Sequence, residues 1–344
     1  MTITSLDNFG HGNTPVSMSE LRTYFGGTNP ISLNGSFNGG IASVPDTLPA
    51  SGAETSFSDF RSKNRILKKK GTTQVVASGT SWTPAQSGCV QYNVYVLGGG
   101  GSGGGCSTSS GREKVSSGGA AGGVAFRRYS AQDDGITSAS ISIGSGGAGI
   151  SYPNSSDFKI TGRNGGTTTF NPNGTGATIS ATGGSRGFAS QLGTSAGEAA
   201  SSPLTAGFGY CAASFGGTGS GGESNYTGGY GGGFNISDDA AAVSGGGSPN
   251  LGSGGVNGTS ISTYGQASTG TTGAPTKPSE WGSDVTATFQ GGSGVQDTDA
   301  SAGASDGGTN YGAGSGGSSS ENGAGSTGNG SQGAIFVTYY ELNS

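Results

Sequence analysis

The sequence predicts a mainly β and irregular protein. A small N-terminal module over 1–72 is followed, over 73–344, by β-sandwich-like strands and a packed region of polyglycine-II helices. Three observations carry this expectation. Two strand-like runs, YNVYVL at 92–97 and AIFVTYYEL at 334–342, bracket the C-terminal part. Glycine crowds the interval between them: eleven of the 76 glycines precede residue 98 and none follows Gly333. Apolar residues make up only 30% of the chain and charged residues 10%. An ordinary globular chain is about half apolar and about a quarter charged, so a large aliphatic core is not available.

Such a composition usually accompanies disorder. Here the glycine tract is interrupted by spaced aromatic and β-branched residues, among them Phe126, Ile141, Ile143, Phe170, Ile179, Phe208, Tyr226 and Phe336. The expected body is therefore ordered, held mainly by backbone hydrogen bonds and close glycine contacts.

The N-terminal part carries short half-repeats: VSMSELRTYFGG (16–27), PISLNGSFNGG (30–40) and TSFSDFRSKNR (55–65). In SMSELR and SFSDFR, serines ahead of an acid and an arginine read as caps opening a short helical turn. GG, NP and NG pairs punctuate between them. Units this brief cannot bury a core alone and suit a module that packs on another protein. The basic run RSKNRILKKK (61–70) reads as a solvated linker.

Strand chemistry begins at QVVASGTSWT (74–83), turns at PAQSG and resumes at CVQYNVYVL (89–97). Alternation puts Tyr92, Val94 and Val96 on one face, with Tyr95 and Leu97 on the other. Both faces are apolar, so this strand is expected to be covered on both sides. Further strands are expected at GVAFRRYSA (123–131), SASISIG (138–144), TTTFN (167–171), ATISATG (177–183) and AIFVTYYEL (334–342). From 183 to 333 glycines recur three apart, as at Gly216, Gly219 and Gly222, at Gly228 and Gly231, at Gly252, Gly255 and Gly258, and at Gly325 and Gly328. Three is the period of the extended left-handed polyproline-II helix. That span is expected to hold short glycine helices side by side, joined by loops.

Several functions are disfavoured. VLGGGGSGGG (96–105) meets the Gly-x-Gly-x-x-Gly spacing at Gly98, Gly100 and Gly103. A dinucleotide site also needs a helix after that loop, and GCSTSSGREKVSSGG cannot form one. The single histidine, His11, lies near the N-terminus, which removes histidine-based triads. Cys89, Cys106 and Cys211 lack zinc spacing and, being odd in number, do not suggest a disulfide framework. The pairs Asp133/Asp134, Asp238/Asp239 and Asp297/Asp299 read as turn formers. GGSGVQDTD (291–299) misses calcium-repeat spacing. The expected protein is not an enzyme, and it uses neither metal nor cofactor. Net charge is −5 without a basic face, so nucleic acid is not an expected partner. No apolar run approaches transmembrane length, and MTITSLDNFG lacks the apolar stretch of a secretory leader.

Two sets of motifs carry a family resemblance. SELRTYFGGTNPISLNGSFNGG, then VPDTLP and TSFSDFR, resembles the N-terminal module of tailed-bacteriophage tail and fibre proteins, most closely over 19–33 and 55–61. It departs at NGSFNGG, where that family carries an acid and paired tyrosines. TSWTPAQSGCVQYNVYVLGGGGSGGG, GGAAGGVAFRRYSA, SISIGSGGAGIS, GRNGGTTTF, ISATGGSRG and SQGAIFVTYYE, in that order, are similar to the glycine-rich domain of phage tail-fibre and tail-tip proteins. Tip adhesins of T-even-like phages use layered polyglycine-II helices with variable distal loops as receptor readers.

The resemblance implies a virion tail protein, made in the bacterial cytoplasm, that attaches to other phage tail proteins through its N-terminal module. Leu21, Arg22, Phe25, Phe57, Phe60 and Arg61 are the expected docking residues. It further implies a homo-oligomer, with trimers usual for fibres, and a host-surface glycan or outer-membrane protein as receptor. The aromatics between glycines, Phe208, Tyr210, Phe215, Tyr226, Tyr230, Phe234, Tyr264 and Tyr311, are the expected contacts. Exposed aromatic rings stack on sugar faces or anchor in protein grooves. Two rival readings stand beside this one. One is a purely structural tail or capsid-decoration protein. The other is an ice-binding glycine-helix protein, suggested by threonine-rich stretches such as GTTTF.

Overall fold

The structure, a computed structural model, describes residues 3–4, 15–16, 67–108, 114–131, 134–153, 157–191, 210–211, 215–232, 234–235, 241–243, 246–252, 257–258, 266–267, 275–297, 302–303, 311–321 and 323–342. It is mainly β, with open sheets and one 3-10 turn, Ser279–Trp281, among the described residues. The chain forms two compact units. The smaller comprises Met1–Gly71, Gln86–Tyr92 and Tyr339–Ser344; the larger comprises Thr72–Ala85 and Asn93–Thr338.

The strands that position the site are β1 (Leu67–Lys69), β2 (Gln74–Val76), β3 (Ser81–Trp82), β4 (Gln91–Leu97), β5 (Val124–Ser130), β6 (Ala139–Ser142), β7 (Thr168–Pro172), β8 (Ile179–Ala181), β9 (Gly219–Ser220), β10 (Ser224–Tyr226) and β11 (Ala334–Leu342).

In the smaller unit β1 pairs antiparallel with the end of β11, Tyr340 opposite Lys69 and Leu342 opposite Leu67. The basic run read as a solvated linker therefore ends in a strand. Its last lysine explains why: Lys70 Nζ lies 2.7 Å from Glu341 Oε2, and the Lys70 amide donates to the Tyr339 carbonyl at 2.9 Å. Tyr92 and Tyr339 meet edge to face at 5.7 Å.

In the larger unit two sheets stand out. One runs in the order β10, β5, β4, β11, with β2 pairing β11. β4 has the burial its two apolar faces imply: Tyr92, Asn93, Val94, Val96 and Leu97 are buried, and Gln91 and Tyr95 half-buried. Against this sheet pack Trp281, Val285, Phe289 and Leu251, joining Leu97, Val124, Ala334 and Phe336 in one core cluster. Phe289 is wholly buried with a φ of 57°, a conformation bulky residues rarely adopt. The second sheet runs β9, β8, β7, β6, β3. Its inner face carries Trp82, Ile141, Phe170 and Ile179, Trp82 meeting Phe170 edge to face at 5.2 Å. The QVVASGTSWT run splits into β2 and β3 because Gly79 takes a φ of 97°, which ends the extended backbone.

Outside its strands this unit contains glycine segments whose backbones bond to one another. The segment 98–104 is the clearest. Gly98, Gly101 and Gly104 donate their amides to Gly123, Ala120 and Ser117 at 3.0, 2.8 and 2.9 Å. Gly99 and Ser102 donate to Gly166 and Arg163, and Gly100 to Ser331. The carbonyls of 99–102 and 104 accept from Gly184, Gly147, Ser315, Gly187 and Ser318. The donor direction thus recurs every third residue, where a strand would alternate between two sides. A Cβ at Gly100 would lie 1.9 Å from the Ala313 carbonyl oxygen, and one at Gly101 2.1 Å from that of Ser185. Glycine is required here because neighbouring backbones occupy the side-chain space on every side.

The expected polyglycine-II helix region over 183–333 is not supported as a region of its own. That span is cut by short strands such as Gly219–Ser220, Ser224–Tyr226 and Ser318–Glu321. A glycine segment bonded on several sides lies outside it, at 98–104. The physical reason is saturation: a segment with amides pointing three ways needs neighbours all round. Those neighbours come from 117–123, 144–149, 162–166, 182–188, 312–318 and 327–333, that is, from inside and outside 183–333 alike.

Candidate binding surface

Two of the expected contact aromatics are brought together on the surface. Phe215 and Tyr230 are 37% and 42% exposed, and with Val75 they are the exposed large hydrophobics among the described residues. Their rings meet edge to face, centroids 6.0 Å apart and planes at 86°.

Backbone bonds fix both residues. The Phe215 carbonyl accepts from the Ser185 amide at 2.9 Å, and two residues on Gly217 donates to Ala121 at 2.8 Å. On the other side Gly229 donates to Ser248 at 2.9 Å. Tyr230 donates its amide to Asn257 Oδ1 at 3.0 Å, and its carbonyl accepts from Gly258 at 2.8 Å. The two segments abut directly, since a Cβ on Gly216 would sit 1.9 Å from the Gly228 oxygen. The pair therefore stands on glycine backbone that has no room to shift. A rigid aromatic anchor loses little entropy on binding.

The other expected contacts are placed differently. Tyr226, at the end of β10, and Tyr311 are half-buried and pack against the core cluster. Tyr311 meets Phe336 edge to face at 5.6 Å and, with Val75, Asp284 and Ala287, lines a shallow cavity. Tyr210 and Phe234 lie on a two-stranded ladder, Tyr210 opposite Asn235 and Phe234 opposite Cys211. Phe208 and Tyr264 lie outside the described residues, as do Leu21, Arg22, Phe25, Phe57, Phe60 and Arg61. Phe215 and Tyr230 are 15 residues apart in the sequence, and only the fold brings their rings together. The available signal was their shared setting, an aromatic beside paired glycines in SFGG and GGYGG.

The Gly98, Gly100, Gly103 loop has no free amides for a phosphate. Gly98 and Gly100 donate to backbone carbonyls, and Gly103 donates to Ser315 Oγ at 2.8 Å. Among the described residues no three His, Cys, Asp or Glu side chains cluster as a metal would need. The strongly shifted groups are interior phenols. Tyr129 donates to the Ala177 carbonyl at 2.7 Å, and burial holds its pKa far above the ordinary phenol range. Tyr152 lies 2.6 Å from Ser318 Oγ; burial pushes it up to about 12, with the Ser318 hydrogen bond opposing. Burial likewise raises the Cys89 thiol, against the pull of Lys70.

No curated protein sequence matches the chain. The profile of the glycine-rich domain family matches residues 73–340, well over half of the length. It takes in β4, all but the last two residues of β11 and the glycine segments bonded between them, and on this match the chain belongs to the glycine-rich domain family (Gly_rich_2).

Proposed function

We propose that the chain is a bacteriophage virion protein of the tail fibre or tail tip that contacts the host surface. In this reading residues 1–72 dock to other tail proteins, the protein assembles as a homo-oligomer, and the glycine-rich body is the receptor-facing part. The period-three glycine segments act as short polyglycine-II helices, bonded on all sides into a stiff support. The receptor is a host-surface glycan or an outer-membrane protein.

The observation that carries the reading is the Phe215–Tyr230 pair: two exposed rings on closely packed, hydrogen-bonded backbone. The sequence motifs at 19–33 and 55–61 supply the tail connection. Membership of the glycine-rich family agrees with the body and leaves the partner open.

The test is adsorption. Virions carrying Phe215→Ala and Tyr230→Ala should assemble normally and lose host adsorption by roughly tenfold or more, the scale of a lost aromatic hot spot. Unchanged adsorption would favour the structural alternative, a tail or capsid-decoration protein with no receptor role.

A further inference from the structure

The second sheet of the larger unit presents an outer face built almost entirely from hydroxyl groups. Ser142, Thr169, Ser180 and Ser220 stand directly opposite one another across β6, β7, β8 and β9. A second rank runs beside them: Ser81 opposite Ser140, and Ser140 opposite Asn171, with Thr178 Oγ1 bonded to Asn171 Oδ1 at 2.5 Å. All eight residues are exposed or half-exposed. Neighbouring strands are about 4.8 Å apart and residues two apart on a strand about 6.8 Å apart, so the ranks form a two-dimensional grid. Cross-strand bonds hold it in place, Ser180 Oγ lying 2.8 Å from Ser220 Oγ.

The strands of this face carry no charged residue; beyond the end of β9, Arg127 donates to the Gly221 carbonyl at 3.2 Å and Arg128 pairs with Glu223. No Asp, Glu, Lys or Arg occurs within 71–111, 136–156, 164–185 or 199–222, the stretches that hold β3 and β6 to β9. These stretches are uncharged in a chain that is itself only 10% charged, so the exposed groups of the two ranks are hydroxyls and one amide. The apolar side chains of these strands point to the interior. Along the ranks themselves a charged partner meets no counter-charge, the Arg128–Glu223 pair beyond the end of β9 being neutral as a pair, and an apolar partner meets no apolar patch. What remains is a partner that is neutral and itself both donates and accepts hydrogen bonds along an extended surface.

We propose that this face docks a neutral polysaccharide. Each serine or threonine hydroxyl can donate once and accept twice, which matches the hydroxyls of a sugar chain lying along a rank. The proposal does not depend on the tail-protein reading, and the Phe215–Tyr230 pair is not part of either rank.

The experiment is retention of the full-length chain on insoluble cellulose and chitin, with affinity electrophoresis in soluble dextran. Retention on at least one of these polymers is expected, and it should persist at high salt because no ion pair is involved. Thr169→Lys with Ser180→Lys should lower it roughly tenfold or more, since the contact would bury unpaired ammonium groups. Ser142→Lys with Ser220→Lys, at more exposed ends of the same rank, gives the same readout should the first variant misfold. The conservative Thr169→Ser with Ser180→Thr should retain binding. The proposal is overturned by no retention on any of the three polymers, by equal retention in both lysine variants, or by retention abolished in salt. Inhibition of ice recrystallisation without polysaccharide retention would assign the face to ice and overturn it too.

Discussion

Trp281 stacks on Phe336 with ring centroids 4.4 Å apart and planes at 24°. The 3-10 turn Ser279–Trp281 thereby lays a large ring on the face of a strand 55 residues further on in the chain. Tyr95 and Phe289 meet the same indole at 5.1 and 5.9 Å. In a chain that is only 8% aromatic, this one cluster concentrates much of the apolar burial.

Trp281→Ala should therefore destabilise by about 3–5 kcal/mol, as for other buried large-to-small changes. Urea denaturation followed by far-UV circular dichroism checks it. Loss below about 1 kcal/mol would mean that the turn does not close the core.

Phe289 offers a sharper test, because its φ of 57° costs a non-glycine residue about 1 kcal/mol or more. Phe289→Ala loses the ring and keeps that cost; Phe289→Gly loses the ring and escapes it. Phe289→Gly should be the more stable of the two by about 1 kcal/mol, opposite to the usual order in extended backbone. Parallel denaturation curves of the two variants decide it.

The glycine segments predict a contrast between two substitutions. At Gly100 an alanine Cβ would meet the Ala313 carbonyl oxygen at 1.9 Å and its carbon at 2.3 Å. Backbone in a bonded segment cannot step aside, so Gly100→Ala should cost more than about 3 kcal/mol, beyond usual overpacking, or prevent folding. At Gly135, with φ of 62°, nothing lies within 4 Å of the added carbon. Gly135→Ala should cost only about 1 kcal/mol, from the left-handed backbone alone. Equal effects at the two sites would contradict close backbone packing.

Tyr152 makes stability depend on alkaline pH. Its folded pKa, about 12, lies above the ordinary 10.0, so the neutral phenol is the form the fold favours. Its contribution is fully present below pH about 10 and is lost as pH rises towards about 12. Stability measured at pH 9 and pH 11 should differ, and Tyr152→Phe should shrink the difference. Part of the slope should survive in that variant, because burial also raises Tyr129.

In the smaller unit, the hydrogen bond between Lys70 and Glu341 lowers the carboxyl and raises the ammonium. The pair's contribution should vanish as pH falls through the lowered Glu341 value, and again as it rises through the raised Lys70 value. Lys70→Met should return Glu341 to the ordinary carboxylate range in an NMR titration. An unmoved Glu341 would show that another group sets its value.

Much of the fold was legible from short apolar patterns. β4, β5, β6, β8 and β11 fall inside runs whose period or composition marked them as strands, and β7 overruns its expected run by one residue, Pro172. The dual burial of β4 followed from Val94 and Val96 on one face and Leu97 on the other. Short strands such as Gly105–Thr108 and Ser318–Glu321 were not legible. They are written in glycine and serine, and their extended form comes from a neighbour, Ser319 pairing with Cys106, rather than from any local preference. The binding surface was half legible. The aromatics could be picked out, but Phe215 and Tyr230 are exposed while Tyr226 and Tyr311 pack on the core, and all four stand near glycines in the sequence.

Composition and order of residues determined that this protein must rely on backbone bonding, since apolar side chains are too few for an aliphatic core. They also determined where the regular strands lie and that glycine must dominate between them. Tertiary structure alone decided which backbone meets which. An amide direction that repeats every third residue needs several neighbours at once, and glycine, having no side chain, carries no label saying which neighbours those are. The same indifference hid the hydroxyl grid: Ser142, Thr169, Ser180 and Ser220 come from four separate strands, and only the register of the sheet puts them in one row.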